Sequence, residues 1–156
     1  MNADQIMFTS GSILYGLFTF VTESKNKYAI VLHNDGNSCV VTTFTTSQAR
    51  SSTCSPIHGA NPKEKPRSYV FKAHTPIGLK EDGTVFSFGL DTTVVPDYGY
   101  AYTTIEDFKR KVTSLTKVCD LYEQEYIDLI YTLYKCSELP KRYKVIFEQI
   151  LKDKIK

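Results

Sequence analysis

The chain has 156 residues, 42% of them hydrophobic and 23% charged, with a net charge of +2. That is enough apolar material for one compact domain and excludes a disordered chain, while the small net charge neither demands nor forbids a nucleic-acid partner. No apolar run is long enough to span a bilayer, and the first residues lack the basic and apolar regions of a signal peptide. The expectation is one cytoplasmic domain over residues 1–156, with no membrane contact.

Residues 12–21 (SILYGLFTFV) are apolar, aromatic and free of helix-start signals, and predict a strand. Residues 26–33 (NKYAIVLH) predict a second. Asn34-Asp35-Gly36-Asn37 then supplies a tight turn, because Asp-Gly tolerates the positive φ angles a hairpin needs. Residues 38–46 (SCVVTTFTT), rich in β-branched side chains, predict a third strand. Residues 47–67 read as a long loop carrying Pro56, Gly59, Pro62 and Pro66. Further short strands are expected at 68–74, at 84–88 after a Glu81-Asp82-Gly83 turn, and at 91–95. Five or six short strands with tight turns suggest a small closed barrel at about residues 10–95, since closure removes exposed edges.

The period then changes to that of a helix. Thr103-x-x-Glu106 has the form of a capping box, and Ile105, Phe108, Val112, Leu115 and Cys119 follow at helical spacing. A second helix is expected over about 121–135, with Tyr122, Tyr126, Leu129, Ile130 and Leu133 on one face. Pro140 opens a third, whose stripe is Tyr143, Ile146, Phe147, Ile150 and Leu151. The fold class is therefore α+β: a small antiparallel barrel followed by a helical extension over 103–156.

The four cysteines, Cys39, Cys54, Cys119 and Cys136, form no C-x-x-C pair. Cys54 and His58 have ligand spacing, but no second pair completes a tetrahedral site, so neither metal nor cofactor is expected. Cys136 falls in an apolar stripe and reads as core. Phosphate-binding glycine motifs, nucleophile elbows and zinc-protease motifs are absent. His33, His58 and His74 are isolated along the chain. Residues 141–156 carry a surplus of four positive charges, leaving the first 140 residues at −2. That segment suits either phosphate contact or a solvated helix face with cations near its C-terminal dipole end.

One order of segments carries chemistry. Gly11-Ser12-Ile13-Leu14 opens the first strand, and Lys27-Tyr28-Ala29-Ile30-Val31-Leu32 the second, followed by His33-Asn34-Asp35. The third strand ends Phe44-Thr45-Thr46-Ser47-Gln48. Gly78-Leu79 precedes Thr84-Val85-Phe86-Ser87-Phe88. Over roughly residues 10–95 this order resembles the MazF/PemK family of bacterial toxins. Those proteins begin Gly-Asp-Ile-Val, continue Arg-Pro-Ala-Val-Val-Val, often with Asn-Asp, and close the next strand on an apolar residue, Thr and a small residue.

The resemblance implies an SH3-like barrel in a homodimer that cleaves single-stranded RNA without metal, held in check by a small antitoxin protein. It implies catalytic roles for Lys27, where the family has Arg, and for Thr45, or Thr46 if the register slips by one. Tyr28 stands where the family has Pro, and Ser12 where it has Asp. The acidic-Gln pair of some members falls near Phe88-Gly89 and is missing. Lysine holds a phosphate as a point charge and lacks the guanidinium fork. The loop cations Arg50, Lys63, Lys65 and Arg67 are expected to contact RNA, with Tyr69 stacking on a base. The alternative is a non-catalytic protein- or nucleic-acid-binding module on the same barrel. A third reading is an unrelated β-barrel enzyme using Cys54 or a histidine.

Overall fold

A computed structural model describes residues 7–19, 24–36, 38–46, 57–61, 68–94, 100–137 and 139–154. The long strands come first: β1 (Ser12–Thr19), β2 (Ser24–Asn34) and β3 (Ser38–Thr46). They form the expected meander, with antiparallel pairing of β1 to β2 and of β2 to β3. The β2–β3 turn uses its polar residues as anticipated. Asn34 Oδ1 accepts from Gly36 N at 2.8 Å, Asp35 Oδ1 accepts from Ser38 N at 2.8 Å, and Gly36 takes a φ of 105°.

Short strands follow: β4 (Gly59–Asn61), β5 (Ser68–Phe71), β6 (Gly78–Leu79), β7 (Val85–Phe86), β8 (Thr92–Val94) and β9 (Tyr100–Thr104). Then come α1 (Ile105–Arg110), β10 (Val112–Leu121), α2 (Glu123–Tyr134) and α3 (Lys141–Lys154). The strand order is β4-β5-β8-β3-β2-β1-β10-β6-β7, with β9 beside β3, and every pairing is antiparallel. The path ends at β4 and β7, and no pairing among the described residues joins those ends.

Two expectations need correction. Residues 105–119 are not one helix: α1 stops at Arg110, and 112–121 form a central strand between β1 and β6. The apolar spacing was real, but β-branched Val112, Thr113, Thr116 and Val118 favour extended backbone, and pairing satisfies the open edge of β1. The capping residue is Thr104, whose hydroxyl accepts from Asp107 N at 3.1 Å, and not Thr103. The sheet therefore extends beyond residue 95 to include β9 and β10, and the extension over 103–156 is not wholly helical.

β10 departs from regular pairing to fit. Tyr15 pairs with Thr116 and Leu17 with Thr113, so two residues on β10 face Gly16 alone. Ser114 sits in this bulge at a φ of 57°. A Cβ on Gly16 would lie 2.5 Å from Val112 Cγ1 and 3.3 Å from the Leu115 backbone. Glycine is needed here because the bulge pushes β10 onto β1.

The central strands are apolar on both faces because both are covered. Ile13, Ile30, Cys119 and Leu121 face a large core with Tyr126, Leu129, Ile130 and Leu133 of α2 and Tyr143, Phe147 and Leu151 of α3. Leu14, Phe18, Ala29, Val31 and Val112 face a smaller one, closed by Phe8 and by Phe108 of α1. This two-sided burial explains the unbroken run Ala29-Ile30-Val31-Leu32. The stripes predicted for α2 and α3 are buried or half-buried, apart from Tyr122, which precedes α2 and is exposed.

Cys119 and Cys136 are both buried and form no disulfide among the described residues. Burial pushes the Cys119 thiol up to about 12, so it stays protonated and unreactive near neutral pH. Alkylation of the native protein at about pH 8 should spare both cysteines, and alkylation in urea should label them. Peptide mass mapping reads the difference, and rapid native labelling would contradict the packing described.

Candidate functional site

Lys27 lies on β2, half-buried and paired with Gly16 of β1. Strand alternation puts it on the same face as Ala29 and Val31, at the rim of the smaller core. Tyr28 pairs with Phe44 of β3. Lys27 and Thr45 are the next residues outward from that pair, which is the last pairing between the two strands. There β3 changes partners: Thr45 pairs with Thr93 of β8, and Thr46 with Thr92. Thr92 and Thr93 are themselves buried. Beyond the last β2–β3 pair, β3 thus continues into a threonine-rich ladder with β8.

Arg50, Lys63, Lys65 and Arg67 lie outside the described residues, as does Cys54. Tyr69 is described, and its expected role needs correction. It is 1% exposed, and its ring packs edge-on against Phe71 at 5.2 Å. Its hydroxyl donates to Glu125 Oε1 at 2.6 Å. A ring enclosed in the core has no face free for a base. Burial first, and then the bond to Glu125, raise the Tyr69 pKa far above its ordinary value.

Glu125 also receives His58. His58 Nε2 lies 2.7 Å from Glu125 Oε1, and the Lys72 backbone N–H donates to His58 Nδ1 at 3.1 Å. Nδ1 is therefore the acceptor, and Nε2 carries the proton given to Glu125. With both ring nitrogens engaged, His58 ties β4 and β5 to α2. Beside it, Asp91 accepts from Lys72 Nζ at 2.9 Å and from Ala73 N at 2.8 Å. The backbone bond to Ala73, and then Lys72, hold the Asp91 carboxyl below the usual carboxylate range.

A second polar group could not be read from the sequence, because its members are 108 residues apart. Ser12 Oγ donates to Asp120 Oδ1 at 2.9 Å, Thr9 Oγ1 lies 3.1 Å from the same oxygen, and Lys117 Nζ reaches Asp120 Oδ2 at 2.8 Å. Of these, Lys117 and Asp120 border a cleft of about 630 Å³ whose walls include Leu79, Lys80, Glu81 and Tyr122. Ser12 is fully buried, so its hydroxyl latches β1 to β10 and is closed to attack on a substrate. Among the described residues, no group of three or more His, Cys, Asp or Glu side chains is placed to hold a metal ion. No helix of the described residues is long and apolar enough to cross a membrane.

Comparison with protein-family models, curated proteins and solved structures returns no match to this chain.

Proposed function

We propose that the chain is a toxin-like, metal-independent endoribonuclease acting on single-stranded RNA at the β2–β3 junction. The observation that carries this reading is that Lys27 and Thr45 both directly follow the last β2–β3 pair, Tyr28 and Phe44, where β3 goes on to pair with β8. A cation there would stabilise charge gathering on the phosphoryl oxygens. The ribose 2′-OH gives up its proton and attacks the phosphorus, the P–O5′ bond breaks, and the leaving 5′ oxygen gains a proton. The products are a 2′,3′-cyclic phosphate and a 5′-OH end. The same reading includes closure of the strands into an SH3-like barrel, a homodimer, a small antitoxin partner and a cytoplasmic setting.

A non-catalytic protein- or nucleic-acid-binding module on the same topology is the second reading. The lysine at position 27 and the enclosed ring of Tyr69 favour it, since both weaken an RNA-cutting site.

The test is cleavage of pooled RNA by the purified chain, with and without chelator, beside Lys27→Ala. The nuclease reading predicts chelator-resistant cleavage with cyclic-phosphate ends, about a hundredfold slower in Lys27→Ala. Intact RNA with the unmutated chain would sink it and leave the binding module.

A further inference from the structure

The cationic end of the chain divides into two unlike halves. Near the C-terminus of α3 the cations have partners: Lys152 Nζ lies 3.6 Å from Glu148, and Lys154 Nζ 2.8 Å from Glu123. At the start of α3, Lys141, Arg142 and Lys144 occur with no acidic residue between positions 139 and 147. None of the three makes an ion pair among the described residues. Cations in a first helical turn also oppose the positive end of the helix dipole, so helix stability alone does not account for them.

Arg142 is fixed by stacking. Its guanidinium carbon lies 4.7 Å from the centroid of Tyr102 on β9 and 5.7 Å from that of Tyr143. Stacking leaves the N–H edges of a guanidinium open to an outside acceptor. Tyr102 also borders a cleft of about 590 Å³ walled by Ser38, Thr103, Thr104 and Lys111. Asp107 and Arg110 also line it, but they pair with each other at 3.1 Å, and Arg110 also binds Glu106. Asp35 lies 3.4 Å from the Tyr102 hydroxyl.

We propose that Lys141, Arg142 and Lys144, with Tyr102 and the hydroxyl-lined cleft beside it, form a surface that binds the phosphate backbone of single-stranded RNA away from Lys27. The ligand class rests on the ribonuclease reading. The cleft and the stacked arginine favour RNA over an anionic bilayer. A nucleotide enters a concave, hydroxyl-lined pocket and meets a planar fork of donors, whereas a flat headgroup layer uses neither.

The test is fluorescence anisotropy of a labelled, mixed-sequence RNA oligonucleotide over a series of salt concentrations. It is run in a Lys27→Ala background, where cleavage is about a hundredfold slower, and within a time over which the RNA is verified to be uncut. Replacing Lys141, Arg142 and Lys144 together by Gln should weaken binding at low salt by about tenfold or more and reduce the salt slope by about 2, as for three lost phosphate contacts on a single strand. Arg142→Lys should keep the slope and still weaken binding severalfold. The substitutions are on the surface, and an unchanged melting temperature verifies the fold. An unchanged slope in the triple variant overturns the proposal, as does binding to phosphatidylserine vesicles without binding to RNA. The two readings fail separately. A fallen slope in a chain that cuts no RNA retires the nuclease and keeps this surface. Cleavage with an unchanged slope retires this surface alone.

Discussion

Phe147→Ala should destabilise the fold by about 3–5 kcal/mol, the largest effect we expect of a single substitution. Phe147 is fully buried in the large core, where α3 adds it to Leu129, Ile130 and Leu133 of α2. Truncation removes most of an aromatic side chain and leaves a cavity that two helices and a sheet close only in part. In a chain of this length the melting temperature should fall by roughly 10 °C. Chemical denaturation checks the value. A change below about 1 kcal/mol would mean that α3 is not docked as described. Val145→Ala on the same helix is the control, because Val145 is 61% exposed and should change little.

Glu125→Ala should destabilise by about 3 kcal/mol, more than the loss of one surface carboxylate. One oxygen of Glu125 serves both the Tyr69 hydroxyl and His58 Nε2. Removing it strands a hydroxyl within the core and releases the histidine that holds β4 and β5 to α2. Tyr69→Phe alone should cost about 1 kcal/mol, since it removes the donor and leaves Glu125 its bond to His58. Once Glu125 is gone, Tyr69→Phe should become neutral or favourable, because no buried hydroxyl is then left over. The double mutant should therefore fall short of the summed single effects by about 1 kcal/mol or more. Strict additivity would show that the shared oxygen does not couple the two residues.

These two sites also show how much was legible along the chain. The α3 stripe was readable because a helix repeats its buried face every three or four residues, and Tyr143, Phe147 and Leu151 follow that period on a helix opened by Pro140. The Glu125 network was not readable. Tyr69 stands between loop cations and an alternating strand, a context shared by exposed and buried tyrosines alike. Its carboxylate partner is 56 residues away. No local signal tells a tyrosine that will stack on a ligand from one that will close a buried bond.

The sequence by itself determined the parts governed by near neighbours. The β1–β3 meander follows from apolar and β-branched runs punctuated by Asn34-Asp35-Gly36. The turn before β7 follows from Asp82, which accepts from Thr84 N at 2.9 Å, and from Gly83 at a φ of 85°. The buried thiol of Cys136 and the uneven charge of the final helix were equally plain. Tertiary structure alone decided the rest. Residues 112–121 carry both a helical spacing and β-branched content, and the unpaired edge of β1 selects the strand. The same pairing brings Asp120 to Ser12 and crowds Gly16. The β2–β3 pairing ends at Tyr28 and Phe44, one residue before Lys27 and Thr45, and docking of α3 lays Arg142 over Tyr102. Each of these depends on a contact between distant segments, whose free energy appears only when the chain closes on itself, so no local pattern encodes it.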